Sequence, residues 1–332
     1  MGLGANRLLT RLLIALTIPL GTGSDPIMNT NPSNSLRRRI RRVTAIQSNP
    51  GLSISRQTAK KLLVLYSYGR GRWAAKGYLG NALSSIREEA HSRTGREAIV
   101  IANGHSTNQL DVDRVSEAMN AGLDVFAVNS FLLSDLSRRI TPSHYVLSDG
   151  FHRPDMDSDT SKRLWEVLDA NPQIQLLAPH TWYPTLKDRR PSTMYFNDCG
   201  LEGWTTNISP MKPRGYITLT AYKALSIAIH FGYDRIHIIG FDNTNYLNYH
   251  VDESGRIFFG GDTHFYSADS LDRDLSDMYP QGMADCLFDY SLCLLDLERC
   301  FGHAQIYNLD VNSSTRAFAK VVDSRFVVQK QD

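Results

Sequence analysis

The chain has 332 residues, which is enough for one large domain and a smaller appendage. Hydrophobic residues make up 42% and charged residues 21%, and this ordinary globular balance excludes a largely disordered chain. Lys and Arg total 36 against 34 Asp and Glu, so the formal net charge of +2 gives no general electrostatic reason to expect nucleic acid as a partner.

The N-terminal region differs from the rest of the chain in composition. Residues 7–20 combine two arginines with a short apolar run, which is typical of a weak signal peptide but shorter than the roughly 20 apolar residues that span a bilayer. A true start at Met28 would instead leave residues 1–27 outside the protein, and both alternatives stay open. Because residues 36–42 are strongly basic, we expect residues 1–54 to form a basic, partly disordered segment, for which peripheral contact with a membrane is an open alternative.

Residues 55–95 have a helical pattern in which basic residues are interleaved with aromatic ones, such as Trp73 and Tyr78. The pattern predicts a helical appendage that packs on the main domain. A face that contacts a membrane surface is the alternative. We favour packing, because aromatic stripes at helical spacing usually belong to a core.

Residues 96–325 alternate apolar runs with amphipathic stretches. The predicted strands cover residues 98–102, 125–128, 145–147, 174–178, 236–239 and 306–307. The predicted helices cover residues 112–119, 162–168, 221–231 and 283–301. This alternation predicts an α/β fold with a doubly wound, mostly parallel sheet, in which ligands bind beyond the carboxyl ends of the strands.

Polar residues follow several of the predicted strands. They are Asn103, Gly104, His105, Ser106, Asn129, Ser148, Asp149, Gly240 and Asp242. The neutral amides of Asn103 and Asn129 can donate to phosphate or ribose oxygens, although a simple turn residue is the alternative at Asn129. The first strand–helix turn has one glycine and no GKS or GKT triplet occurs, so neither a dinucleotide dehydrogenase nor a P-loop NTPase is expected.

Several short blocks, in this order, resemble glycosyltransferase family 42, the bacterial sialyltransferases, and their relatives with a 6-hydroxymethylpterin diphosphokinase-like domain. The first block, Ile99-Val100-Ile101-Ala102-Asn103-Gly104-His105-Ser106, is similar to the first-strand motif of that family. The other blocks are residues 125–131, 224–242, 262–266 and 306–313. The resemblance implies a Rossmann-like sheet of a GT-A-type variant that binds a nucleotide sugar.

The resemblance also implies roles for individual residues. Asn103 and Gly104 would approach the nucleotide ribose and phosphate, and Asn129 would donate to the phosphate region. Thr220 would lie near the cytidine. The phenols of Tyr246 and Tyr249 would stabilise the departing phosphate, and His264 would be the general base. The remaining predicted donor-binding residues are Ser106, Ser148, Asp149, Gly240 and Asp242.

This chemistry requires neither a metal nor a cofactor besides the CMP-sugar donor. A departing CMP develops negative charge, which neutral preorganised donors can stabilise. An imidazole titrates near neutral pH and can take the proton of the acceptor hydroxyl. The D-x-D patterns at residues 111–113 and 155–157 resemble those of metal-dependent transferases, but acidic residues also favour a helix start. Cys286, Cys293 and Cys300 share one helical stripe and are interpreted as core residues, so we expect no metal site.

The sequence therefore predicts an enzyme that moves sialic acid or a related sugar from CMP to a surface glycan, as in lipopolysaccharide or capsule biosynthesis of bacteria. The alternatives are a pterin diphosphokinase-like enzyme, with ATP and with Mg²⁺ held by residues such as Asp149 and Asp242, and a non-catalytic partner in glycan assembly. We expect a cytoplasmic location, with attachment to the inner membrane and a homo-oligomeric state left open. Residues 171–214 have no counterpart in the family and form either an acceptor lid or a packed surface loop.

Overall fold

The computed structural model describes residues 77–202, 205–254, 256–259 and 305–328, together with residues 69, 265, 273–274, 294–295 and 297–302. The chain divides into two units, Met1–Gln57 and Thr58–Asp332, and every described residue belongs to the second. The predictions for residues 1–54 therefore lie outside the described residues. Among the described helices, none has the length and apolar character needed to cross a bilayer.

The strands form one large parallel sheet and one small antiparallel sheet. In chain order they are β1 (Glu97–Ile101), β2 (Asp124–Val128), β3 (His144–Val146), β4 (Gln175–Pro179), β5 (Met194–Phe196), β6 (Arg235–Ile239), β7 (Tyr249–Val251), β8 (Ile257–Phe259), β9 (Arg273–Asp274), β10 (Ile306–Asn308) and β11 (Ala319–Lys320). The large sheet has the order β11-β10-β6-β1-β2-β3-β4-β5, and every pairing in it is parallel. Strands β7, β8 and β9 form the small sheet.

The helices connect these strands. They are α1 (Leu79–Ala82), α2 (Ser84–Glu88), α3 (Val112–Asn120), α4 (Asp159–Ala170), α5 (Tyr183–Leu186) and α6 (Thr220–Phe231), and residues 297–301 are also helical. The side chain of Asp111 caps α3 by accepting the backbone N–H of Arg114 at 3.2 Å. Helix α6 ends at Gly232, whose φ of 84° places it in the left-handed region that favours glycine.

Two apolar cores lie on opposite faces of the large sheet, because successive strand residues point to opposite sides. Val100 and Phe126 pack with α6 on one face. Ile99 and Val125 pack with α3 and α4 on the other. The predicted α/β fold with a doubly wound, mostly parallel sheet is therefore confirmed.

The strand order changes direction between β1 and β6. The chain proceeds outward from β1 through β2, β3 and β4 to β5, and then returns to place β6 on the other side of β1. In an open α/β sheet a ligand binds beyond the carboxyl ends of the strands at such a reversal, so the candidate site is expected near the loops that follow β1 and β6.

The described end of the helical appendage packs into the main domain. Ala82 is 1% exposed and Ile86 is fully buried, and each belongs to one of the two cores. Apart from Gly69, residues 55–76 lie outside the described residues, so the membrane-facing alternative stays untested there.

The unmatched region 171–214 extends the sheet. It contains β4, α5 and β5, and its last part is anchored by the buried Arg214, which is 4% exposed. These positions fit the packed-loop alternative. The sequence did not predict β5, a three-residue strand that is defined by its pairing with β4.

Candidate functional site

The loops after β1 and β6 meet at the reversal of strand order, and two glycines allow their approach. The backbone N–H of Gly104 donates to the carbonyl of Gly240 at 3.1 Å. A Cβ on Gly104 would lie 2.5 Å from that same carbonyl oxygen, and a Cβ on Gly240 would lie 2.6 Å from the Ala102 oxygen. Gly240 also has a φ of 78°. Both positions therefore require glycine, for the close contact and, at Gly240, for the backbone conformation.

Ser106 and Asp242 join the same two loops. The Ser106 backbone N–H donates to Asp242 Oδ2 at 3.0 Å, and its hydroxyl donates to Asp242 Oδ1. The Ser106 hydroxyl oxygen also accepts the backbone N–H of Gly240 at 3.0 Å. Because its hydroxyl hydrogen is already used, the observed role of Ser106 is to hold the β1 loop on the β6 loop. Its predicted contact with a ligand stays a prediction, as does that of Asp242.

Asn103 connects this junction with the chain near residue 264. Asn103 is buried, and its backbone carbonyl accepts the backbone N–H of Phe265 at 3.1 Å. The Phe265 ring lies 6.1 Å from the ring of Phe131, which follows β2. His264 precedes Phe265 in the sequence but lies outside the described residues, so its predicted role as general base stays a prediction.

A second carboxyl group contacts Asp242. Asp310, which follows β10 and is 3% exposed, shares a hydrogen bond with the Asp242 side chain. Burial raises the pKa of Asp310, and the negative charge of Asp242 raises it further, although a hydrogen bond from the Asn312 backbone at 2.9 Å opposes the shift. Asp310 therefore holds its proton more tightly than an ordinary carboxyl group.

We expect Asp310→Asn to raise the unfolding temperature at neutral and alkaline pH. The raised pKa means that the folded protein holds this proton more tightly than the unfolded chain. The native Asp310 therefore destabilises the fold as the pH rises from its ordinary pKa through the raised one. Asparagine cannot ionise, so the variant should lose this fall in stability. Thermal unfolding across pH tests the prediction, and equal pH dependence in the two proteins would contradict it.

The ends of β2 and β3 bring a second group of predicted residues together. Asn129 has a φ of 48°, which fits a turn residue, and its buried Oδ1 has no hydrogen-bond partner within the described part of the chain. The neighbouring Ser130 hydroxyl lies 3.4 Å from His152 Nε2. Burial lowers the pKa of His152, so its imidazole is neutral at neutral pH. The predicted donation from Asn129 to the phosphate region of a donor stays a prediction.

Ser148 and Thr220 lie in direct contact, although 72 residues separate them. Their hydroxyl oxygens are 2.6 Å apart. The ammonium of Lys223 donates to Ser148 Oγ at 2.9 Å and lies 2.5 Å from Asp198 Oδ1. Lys223 is 3% exposed, and burial lowers its pKa. Asp149 lies beside this cluster but is exposed, and its carboxylate accepts the backbone N–H of Phe151 at 3.1 Å.

The predicted tyrosines lie beyond the β6 loop. Tyr246 belongs to the 3-10 turn Asn245–Asn248, but its side chain is outside the described part of the structure. Tyr249 begins β7 and is half-buried. Their predicted contacts with a departing phosphate therefore stay predictions.

The carboxylates of the two D-x-D patterns have partners within the protein. Asp111 caps α3, and Asp113 pairs with Arg139. Asp155 lies 2.6 Å from Arg153, and Asp157 lies 2.6 Å from Lys162. Within the described ranges, no group of three His, Cys, Asp or Glu side chains lies close enough together to hold a metal ion.

Comparison with known proteins does not show a family. No protein-family model matches the chain, and no curated protein matches it. Among solved structures it is similar to the structure of MAf glycosyltransferase from Magnetospirillum magneticum AMB-1, with 11% sequence identity and a TM-score of 0.40. That similarity covers 73% of this chain and 38% of the other. Membership of family 42 is therefore not shown.

Sequence reasoning missed Lys223, Asp198 and Asp310. A signal for Lys223 does exist, since it is the only charged side chain among the mostly apolar residues of α6, apart from the titratable His230. A charged residue in a buried helix needs a partner and is a candidate for function. Asp198 and Asp310 lie in irregular loops, where no periodic pattern indicates burial.

Proposed function

We propose that this chain is a glycosyltransferase that moves sialic acid or a related sugar from a CMP-activated donor to a surface glycan. The observation that carries the proposal is the glycine-dependent junction of the β1 and β6 loops at the reversal of strand order. It brings together Gly104, Ser106, Gly240 and Asp242, which the sequence predicts to bind the donor. Consumption of a cytoplasmic donor supports a cytoplasmic location.

The donor would extend along the carboxyl edge of the sheet. Its nucleotide would lie against Asn103 and Gly104 after β1. In the Ser148–Thr220 pair, Ser148 follows β3 and Thr220 begins α6, and β3 is two strands from β1. Two strand spacings correspond to about 10 Å, so a ligand as long as a nucleotide sugar can contact both groups.

The proposed reaction is a direct displacement. The acceptor hydroxyl attacks the anomeric carbon, and His264 takes its proton as the new carbon–oxygen bond forms. The bond between the anomeric carbon and the phosphate oxygen breaks, and CMP leaves with the electron pair. Tyr246 and Tyr249 donate hydrogen bonds to the departing phosphate. The contact of Phe265 with Asn103 supports the assignment of the neighbouring His264.

The diphosphokinase alternative is less well supported by the geometry. In that hypothesis acidic residues such as Asp149 and Asp242 hold magnesium, and the distance between these two residues tests whether they can share one ion. Asp149 follows β3 and Asp242 follows β6, with β1 and β2 between them. Three strand spacings place these positions about 14 Å apart, which is too far for two short carboxylates to hold one ion.

A thermal-shift panel tests the proposal. We expect CMP to raise the unfolding temperature without Mg²⁺, because a ligand that binds only the folded state stabilises it by about 2.7 kcal/mol at a hundred times its Kd. CDP, UDP, GDP, ATP and NAD, each with and without Mg²⁺, are the comparison ligands. Stabilisation by ATP alone, and only with Mg²⁺, would favour the diphosphokinase. The absence of any shift would contradict nucleotide binding, and CMP binding without turnover would favour the non-catalytic partner.

A further inference from the structure

The cluster around Lys223 contains two buried cations and two partly exposed carboxylates. The side chains of Lys223 and Arg214 are 4% and 5% exposed. Their partners Asp198 and Glu202 are 24% and 37% exposed. Solvent screens the exposed carboxylates more than it screens the buried cations. The formal charges cancel, and the two cations are the more deeply buried members of the cluster.

The directions of the hydrogen bonds in the cluster determine whether the Ser148–Thr220 pair can still donate a hydrogen bond to a ligand. An ammonium group only donates, so Ser148 Oγ accepts from Lys223. The bond between Ser148 and Thr220 uses one of the two hydroxyl hydrogens. The other hydrogen has no acceptor among the described residues. Since Ser148 is only half-buried, the pair can present this hydrogen to a ligand.

We propose that Lys223 is a positioning residue that makes the Ser148–Thr220 pair a binding subsite for an oxyanion. The ammonium orients the pair so that one O–H points outward, and its charge strengthens the bond to an anionic oxygen. A phosphate and a carboxylate share this chemistry, and a CMP-activated acidic sugar carries both. As a subsite for the donor, the assignment rests on the proposed function; binding of a simple oxyanion does not.

A purely structural role for Lys223 predicts a different outcome. In that case the ion pair with Asp198 would only anchor the loop after β5 to α6. Lys223→Met and Asp198→Asn both break this ion pair, but only the first removes the donor to Ser148. Asp198→Asn is therefore the matched control for lost anchoring, and its effect on ligand binding separates the two roles.

The experiment measures the affinity of the full chain for inorganic phosphate, acetate and CMP by titration at constant ionic strength. We expect Lys223→Met to weaken binding of phosphate or acetate about tenfold, which is the usual effect of losing one charge-assisted hydrogen bond. Asp198→Asn removes a nearby negative charge and should bind these anions at least as tightly as the native protein. Ser148→Ala leaves the ion pair in place and should weaken anion binding to the same extent as Lys223→Met. If the Lys223→Met variant does not fold, Ser148→Ala takes its place in the test.

Each outcome decides the assignment. Preference for phosphate or for acetate identifies which group of a ligand the subsite binds. Equal loss in the Asp198→Asn variant, unchanged binding in the Lys223→Met and Ser148→Ala variants, or failure of the native protein to bind either anion would overturn it. If the native protein binds phosphate through Lys223 but does not bind CMP, the subsite stands and the proposed CMP-dependent transferase is wrong.

Discussion

Gly240→Ala is expected to lower the free energy of unfolding by about 3 kcal/mol, because it combines a strained backbone with a steric clash. The native φ is 78°, a conformation that alanine adopts at a cost. The new Cβ would lie 2.5 Å from Thr107 Oγ1 and 2.6 Å from the Ala102 oxygen. The backbone oxygen cannot move without disturbing β1. At about 2–4 °C per kcal/mol for a domain of this size, the unfolding temperature should fall by about 6–12 °C.

Gly150→Ala is the matched control for this prediction. Gly150 lies at the same edge of the sheet, in the turn after β3, and an added Cβ would have no atom within 4 Å. Its effect on stability should stay within about 0.5 kcal/mol, as for most surface substitutions. Similar unfolding temperatures for the two variants would show that the junction of the β1 and β6 loops is not closely packed.

His264→Ala is expected to slow sugar transfer about 10²- to 10⁴-fold, which is the usual contribution of a general base. Because the base acts on the acceptor hydroxyl, the variant should still bind CMP with the affinity of the native protein. The measurement is release of CMP from a CMP-activated sugar in the presence of a glycan acceptor, together with a CMP titration. The rate of the variant should also lose the dependence on pH near neutrality that an imidazole base confers.

His91→Asn is the control for a general effect of losing a histidine. His91 is exposed and donates its backbone N–H to the carbonyl of His230, at the end of α6 away from Thr220. Asparagine tolerates its φ of 57°. This variant should transfer sugar at the native rate. Transfer at the native rate by His264→Ala would remove His264 from the proposed mechanism.

The sequence predicted the main elements of the sheet because their signals are local. The runs that became β1, β2, β3, β4, β6 and β10 are mostly buried and mostly apolar, because both faces of the sheet are covered. Helices α3, α4 and α6 begin within three residues of their predicted starts. Strands β5, β7, β8, β9 and β11 were missed, and each is a short segment defined by its pairing with a neighbouring strand.

For the candidate site, the sequence indicated the polar residues at the strand ends, because a parallel sheet places all of these ends at one edge. It did not indicate what their side chains do. Ser106 and Asp242 were predicted to contact a ligand, whereas the structure shows them bonded to each other across the two loops. The sequence does not distinguish a serine or an aspartate that binds a ligand from one that binds another residue of the protein.

The sequence by itself determined the α/β class, the alternation of elements and the set of strand-end residues. Burial and turn formation depend on short local sequence patterns, which can be recognised without the tertiary structure. The tertiary structure alone decided which of these residues meet. It placed Ser148 against Thr220, 72 positions away, with the Lys223 ammonium donating to Ser148. Such contacts depend on the order of strands in the sheet, which is set by the packing of the whole domain and not by any single segment.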